Sequence, residues 1–254
     1  MFTYLKFNNE KGDESKGQYV KSPEGVAVGD IKGWKYFFDP TYSKGTSVLN
    51  RALRNNFAYP DFIPESNTNG LIDITVESKG SYYTTADINP KEWSAFFVIQ
   101  PIKDPKTTAP ASIFRTTNRD LSNADERSMH IAVNSNTVAS LNIYKYGSGN
   151  PGGSAGIILS YVIPEDKQNK LTAYLVTFST TDGYTIYCDG KQVRKTTSLV
   201  QPELNAGYSS GEWTMYTNYA GKAGLTGLLD RRVTVEETSR IFELLKVRHN
   251  LNYN

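Results

Sequence analysis

The chain has 254 residues, with 28 Lys and Arg against 26 Asp and Glu, a formal charge of +2. Its 38% apolar and 21% charged residues exclude a disordered chain, and a balanced charge without a Lys/Arg run excludes the electrostatic footprint of a nucleic-acid binder. One cysteine excludes an internal disulfide, and no apolar stretch approaches the length that spans a bilayer.

The first residues, MFTYLKFNNEKGDESKG, lack a basic region followed by an apolar run, so no signal peptide is expected and synthesis in a cytoplasm is. FTYLKF (2–7) alternates like a strand. Residues 9–70 read as an irregular edge or attachment region of one 1–254 domain. Within it, GVAVG (25–29) and WKYFF (34–38) suit short strands. TSVLNRALRN (46–55) suits a short helix, with Val48, Leu49, Ala52 and Leu53 on one stripe.

Beyond residue 70 the punctuation is that of strands. LIDITVE (71–77) alternates Ile72, Ile74 and Val76 with Asp73, Thr75 and Glu77, the period of a half-buried strand. WSAFFVIQP (93–101) is a continuous apolar run, as expected of a strand buried on both faces. ASIFRT (111–116), MHIAVN (129–134), ASLNIYKY (139–146), GIILSYV (156–162) and KLTAYLVTFS (170–179) follow, separated by Gly, Asn, Asp and Pro turns. YTIYC (184–188), QVRK (192–195), WTMYTNY (213–219) and GLTGLL (224–229) complete the series. Many short antiparallel strands predict an all-β sandwich or jelly roll.

Two local signals are sharper. Asp189-Gly190 between YTIYC and KQVRK predicts a two-residue hairpin turn pairing Cys188 with Lys191, Tyr187 with Gln192 and Ile186 with Val193. Thr234 with Glu237 three residues on is a capping box. It opens a terminal helix with Glu236 and Glu237 in its first turn and Lys246, Arg248 and His249 in its last.

Candidate chemistry is sparse. Cys188 shares a face with Tyr184 and Ile186 and reads as a small core residue, since neither histidine lies near it in sequence to activate a thiol. His130 sits between Met129 and Ile131 and is placed on the face opposite the core. His249 is expected as an ordinary cation of the last helical turn. No HExxH, paired cysteines or G-x-S-x-G occur, so no catalytic residue and no transition-metal site is assigned. Calcium is the one cofactor left open, with oxygen ligands from NRDLSNADE (118–126). The Gly-rich GSGNPGGSAG (147–156) fits no phosphate loop and reads as a connection that can carry binding residues.

Four segments in order resemble the concanavalin A-like, laminin G-like jelly roll. WSAFFVIQP is similar to its "fTisfWvkP" strand, and SMHIAVNSNTVASLNIY to its paired strands. KLTAYLVTFSTTDGYTIYCDGKQV resembles "WhhvavtyDg…lYvDGklv". GLTGLLDRRVTVEETSRIFELL resembles "gfkGrideVriynraLtdeEi..l". The resemblance implies two packed antiparallel sheets with a short C-terminal helix. It leaves function open, because this fold hosts lectins, adhesion modules, structural modules and glycosidases.

The glycosidase branch carries E-x-D-x-x-E on one strand. LIDITVE places Leu71 and Val76 where its glutamates belong. Asp73 and Glu77 lie about 13 Å apart on a strand, beyond the roughly 5–9.5 Å of paired catalytic carboxylates. The expected function is therefore a non-enzymatic, glycan-binding or host-adhesion protein of the bacteriophage virion surface. The expected partners are other virion proteins, a host glycan and copies of itself; nucleic acid and membrane insertion are not expected. A purely structural decoration protein and a glycoside hydrolase with a non-standard site are the alternatives. The expected sugar-contacting residues are Asn142, Tyr144 and Tyr146 on one strand face, with Trp213 and Tyr216 on another strand.

Overall fold

Alternating and continuous apolar runs become strands wherever they find a partner ladder. The computed structural model describes residues 31–44, 47–50, 52, 55–58, 70–75, 82–85, 91–103, 106, 109–117, 128–146, 156–197, 212–216 and 218–253. In chain order its elements are β1 (Trp34–Lys44), β2 (Ser47–Asn50), β3 (Asn55–Ala58), β4 (Ile72–Ile74), β5 (Tyr82–Thr85) and β6 (Glu92–Pro101). Then come β7 (Ala111–Thr117), β8 (Ser128–Val133), β9 (Ser140–Tyr146), β10 (Gly156–Val162), β11 (Thr172–Ser179) and β12 (Gly183–Cys188). β13 (Lys191–Thr196), β14 (Glu212–Met215), β15 (Gly221–Leu229) and helix α1 (Val235–His249) complete it.

The ladder runs β10-β9-β8-β7-β14-β5-β3-β2-β1-β15-β6-β11-β12-β13, with β4 on β15, and doubles back to form two antiparallel sheets. β1 joins them, pairing Trp34–Phe38 with β15 and Ser43–Lys44 with β2 across a register break. At the other margin the two end strands meet: Arg194 Nε donates to the Ser160 carbonyl at 3.1 Å. β13 also leaves Lys191 and Lys195 exposed, and charge of this kind discourages pairing with another chain.

Between the sheets lies an aromatic-rich core. Phe97 stacks on Tyr174 at 5.7 Å within one sheet and meets Phe114 of the other edge-on at 6.3 Å. Ile113, Ile131, Val133, Leu141 and Ile143 complete the second sheet's inner face. A second core lies outside the first sheet, where Phe96, Val98, Ala173, Leu175 and Leu225 meet Ile241, Phe242 and Leu245 of α1. This explains why β6 and β11 are apolar on both faces: one face meets a sheet and the other a helix.

The helix forms as its caps dictate. Thr234 accepts the Glu237 N–H, and the Glu237 carboxylate accepts the Thr234 N–H in return. Arg231 grips that carboxylate through both terminal nitrogens and holds its pKa below the usual range. Ser94 on β6 anchors the approach to the helix, donating to the Arg231 carbonyl and accepting the Val233 N–H. Asn250 ends the helix in the left-handed region at φ 51°.

Two expectations are corrected. Within 46–55 the described residues are not helical: Ser47–Asn50 and Asn55–Ala58 are strands that pair antiparallel. The buried Asn50 side chain decides it, accepting from the Phe37 and Ala52 N–H groups and donating to the Lys35 carbonyl. Those bonds dock the segment edge-on against β1 and outweigh the apolar stripe. The β12–β13 hairpin has the expected Cys188–Lys191 and Tyr187–Gln192 pairs, but a bulge then places Arg194 opposite Ile186, where Val193 was expected. Asp189 at φ 48° and Gly190 at φ 84° form the predicted turn. The strands expected at 2–7 and 25–29 lie outside the described residues.

Candidate binding face

The two sheets have different outer faces. That of the β6–β11 sheet is covered by α1. That of β7–β10 carries a polar grid set by strand register. Arg115, His130, Tyr144 and Ile157 occupy one row across β7, β8, β9 and β10. Ser112, Ala132, Asn142 and Ser160 occupy the next. Facing pairs point the same way, so period-two strands bring residues up to 48 positions apart in sequence onto one surface.

Ser112, His130, Ala132 and Asn142 are buried, while Arg115, Asn134, Ser140, Tyr144 and Ser160 around them are half-exposed. The grid thus has a buried polar floor and an accessible rim. His130 stacks on Tyr144 with ring centroids 5.1 Å apart. The Asn142 Nδ2 donates to Ser140 Oγ at 3.1 Å and Tyr144 Oη at 3.3 Å. Its Oδ1 is buried and accepts no hydrogen bond from any described residue.

Ser112 Oγ and His130 Nε2 lie 2.6 Å apart, the spacing of a nucleophile and its base. The electrostatics are wrong for that role. Burial first, and the Arg115 charge second, push the His130 pKa down to about 3. A general base works best near the operating pH, so this imidazole is a weak proton acceptor. The pair is a satisfied buried hydrogen bond that fixes the ring on which Tyr144 stacks.

Of the five expected sugar-contacting residues, the fold brings Asn142 and Tyr144 together as neighbours of the same patch. The Tyr146 side chain lies outside the described residues, as does that of Trp213, whose backbone pairs with Thr84 and Thr116. Tyr216 is a correction. It follows the end of β14 at φ 59°, is 0% exposed, and bonds through its hydroxyl to Thr226 Oγ1. A ring so placed packs the core and meets no ligand. Sequence reasoning missed Ser112 and Arg115, because membership of the grid depends on how β7 pairs with β8. His130 stands on the face opposite the core, as its alternation with Met129 and Ile131 predicts, whereas its partners follow from register.

Cys188 is 3% exposed in the core, where burial, with Asp189 adding to it, pushes its thiol up to about 12. A thiol so held is protonated at neutral pH and is no nucleophile. Its neighbour Asp189 is the structural group: one carboxylate oxygen accepts the Ala173 N–H at 3.1 Å and the other pairs with Lys167. Cys188→Val is expected to change unfolding free energy by no more than about 1 kcal/mol, the cost of a weak S–H bond offset by similar volume. Urea denaturation checks this. A loss several-fold larger would show that the contact with the Tyr161 hydroxyl is a structural bond in its own right.

Among the described residues, no group of three or more His, Cys, Asp or Glu side chains could hold a metal ion. The calcium segment 118–126 and the Gly-rich connection 147–155 lie outside the described residues. Among the described residues no helix is long and apolar enough to cross a membrane.

No family model matches the chain, and comparison with curated proteins finds no match either. Solved structures do match in shape. A crystal structure of the botulinum neurotoxin serotype D binding domain superposes with a TM-score of 0.62 at 10% identity, covering 85% of this chain and 52% of that one. The binding domain of botulinum neurotoxin DC in complex with SialylT gives 0.61 at 13% identity, over 84% and 52%. A structure of botulinum neurotoxin type C, whose cell entry is dependent upon interaction with two ganglioside molecules, gives 0.60 at 12%, over 84% and 51%. The chain spans about half the length of each of these neighbours. At such identity the likeness is one of fold: among the described residues, a β-sandwich of two antiparallel sheets with a short C-terminal helix.

Proposed function

We propose that this chain is a non-catalytic recognition module that binds glycan on the β7–β10 face. The observation that carries this reading is Tyr144: half-exposed, held against the buried His130 ring, with the Asn142 amide beside its hydroxyl. A tyrosine so oriented offers a ring to sugar C–H surfaces and a hydroxyl to sugar oxygens at little cost in side-chain freedom. A neighbour that is a toxin binding domain in complex with SialylT, and one from a toxin whose cell entry depends on two ganglioside molecules, support a binding role for the fold. The low pKa of His130 argues against the Ser112–His130 pair acting as nucleophile and base. Membership of the concanavalin A-like family, and a place on a bacteriophage particle among other virion proteins and copies of this chain, rest on the sequence resemblance.

The test is a glycan array probed with the wild-type chain and with Tyr144→Ala. We expect retention of at least one saccharide class, weakened about five- to tenfold by the substitution, as one lost aromatic contact implies. Binding that is unchanged by Tyr144→Ala, in a variant with wild-type thermal unfolding, would place the site elsewhere.

A further inference from the structure

We propose that the C-terminal end of α1 is an acid-sensitive clasp, in which protonation of His249 loosens the helix from the β6–β15 sheet. β15 carries a bulge: its pairing with β6 is regular to Ala223–Ile99 and resumes at Thr226–Phe97, so Gly224 and Leu225 fall outside the ladder. The orphaned Leu225 N–H donates to His249 Nε2 at 3.0 Å. The ring fills the bulge so closely that a Cβ on Gly224 would stand 2.6 Å from Cε1, which is why this position is glycine. His249 is 3% exposed.

The chemistry is one-way. A neutral imidazole accepts through Nε2; an imidazolium has two N–H donors and no acceptor. Protonation therefore sets an N–H against the Leu225 N–H and buries a charge, both unfavourable. Charged groups on the packed elements include Lys246 and Arg248 in the last helical turn, Asp39 of β1, Lys222 of β15 and Asp73 of β4. Arg248 is engaged with Asp39, so that carboxylate already has a cation. The helix dipole favours a cation at this end, but by less than a buried acceptor is worth. What the clasp holds down is the second core, where Phe96, Leu175 and Leu225 meet Ile241, Phe242 and Leu245. Loosening opens that apolar sheet face on the side away from Tyr144. The clasp is independent of the glycan reading.

Hydrogen exchange on the full chain at pH 7.5 and pH 5.0, corrected for intrinsic exchange, reads this directly. We expect amides of residues 241–251 to exchange about tenfold faster or more at pH 5.0, with the β11–β12 amides changing far less. His249→Gln keeps an acceptor that does not titrate and should abolish the pH difference. In the wild-type protein alone, the exchange transition should follow the NMR titration of the His249 ring, separately from that of His130. Equal protection at both pH values, an unaltered response in His249→Gln, or a transition that tracks His130 would overturn the proposal.

Discussion

Replacing Phe97 with alanine is expected to lower the unfolding free energy by about 3–5 kcal/mol, the range for deleting a large aromatic side chain from a close-packed core. Phe97 is 0% exposed and stands where the sheets meet, stacked on Tyr174 and edge-on to Phe114. Its neighbours are long aromatic side chains fixed by their own strands, so the site collapses poorly and the cavity term stays large. Phe97→Leu should cost much less. Urea unfolding followed by tryptophan fluorescence measures both. A loss under about 1 kcal/mol for the alanine variant would mean that the sheets are not packed through this cluster.

The second large effect is expected at Arg248→Ala. Asp39 is buried on β1 with its side chain 1% exposed, and Arg248 Nη2 reaches its two oxygens at 3.2 and 3.3 Å. Truncating the arginine leaves a buried carboxylate without its guanidinium, which costs about 3–5 kcal/mol in buried pairs. Arg248 is itself 24% exposed, so the lower end is expected. Asp39→Asn removes the charge that needs the partner. The double variant should therefore be less destabilised than the sum of the singles, and denaturation of all four proteins gives that difference. Additive losses would show the two residues acting independently and would remove this tie between helix and sheet.

Much of the sandwich is legible in the residues because its segments carry one period each. WSAFFVIQP, KLTAYLVTFS and GIILSYV became strands within two residues of their expected limits, and Thr234 with Glu237 opened the helix. Errors arose where tertiary bonds outweigh a local pattern. The stripe of Val48, Leu49, Ala52 and Leu53 imitates a helix, and three hydrogen bonds of Asn50 to distant and local backbone make paired strands instead. His249 looked like a cation at a helix end, yet the bulge in β15 makes it a buried acceptor.

The binding face shows the same division. Alternation placed Asn142 and Tyr144 together, because residues two apart on a strand share a side. Alternation could not reveal that Ser112 and Arg115 join them, since that needs the β7–β8 register. Nor could it warn that Tyr216 lies beyond the end of β14, in a left-handed turn that carries its ring into the core.

Glycan binding on the β7–β10 face, as proposed, leaves the helix-covered face free. Hydrogen exchange in the presence and absence of a saccharide retained on the array tests it most directly. Added protection is expected in β8 and β9, around His130, Asn142 and Tyr144, with α1 unchanged. Protection confined to α1 or to the β11–β13 strands would contradict it.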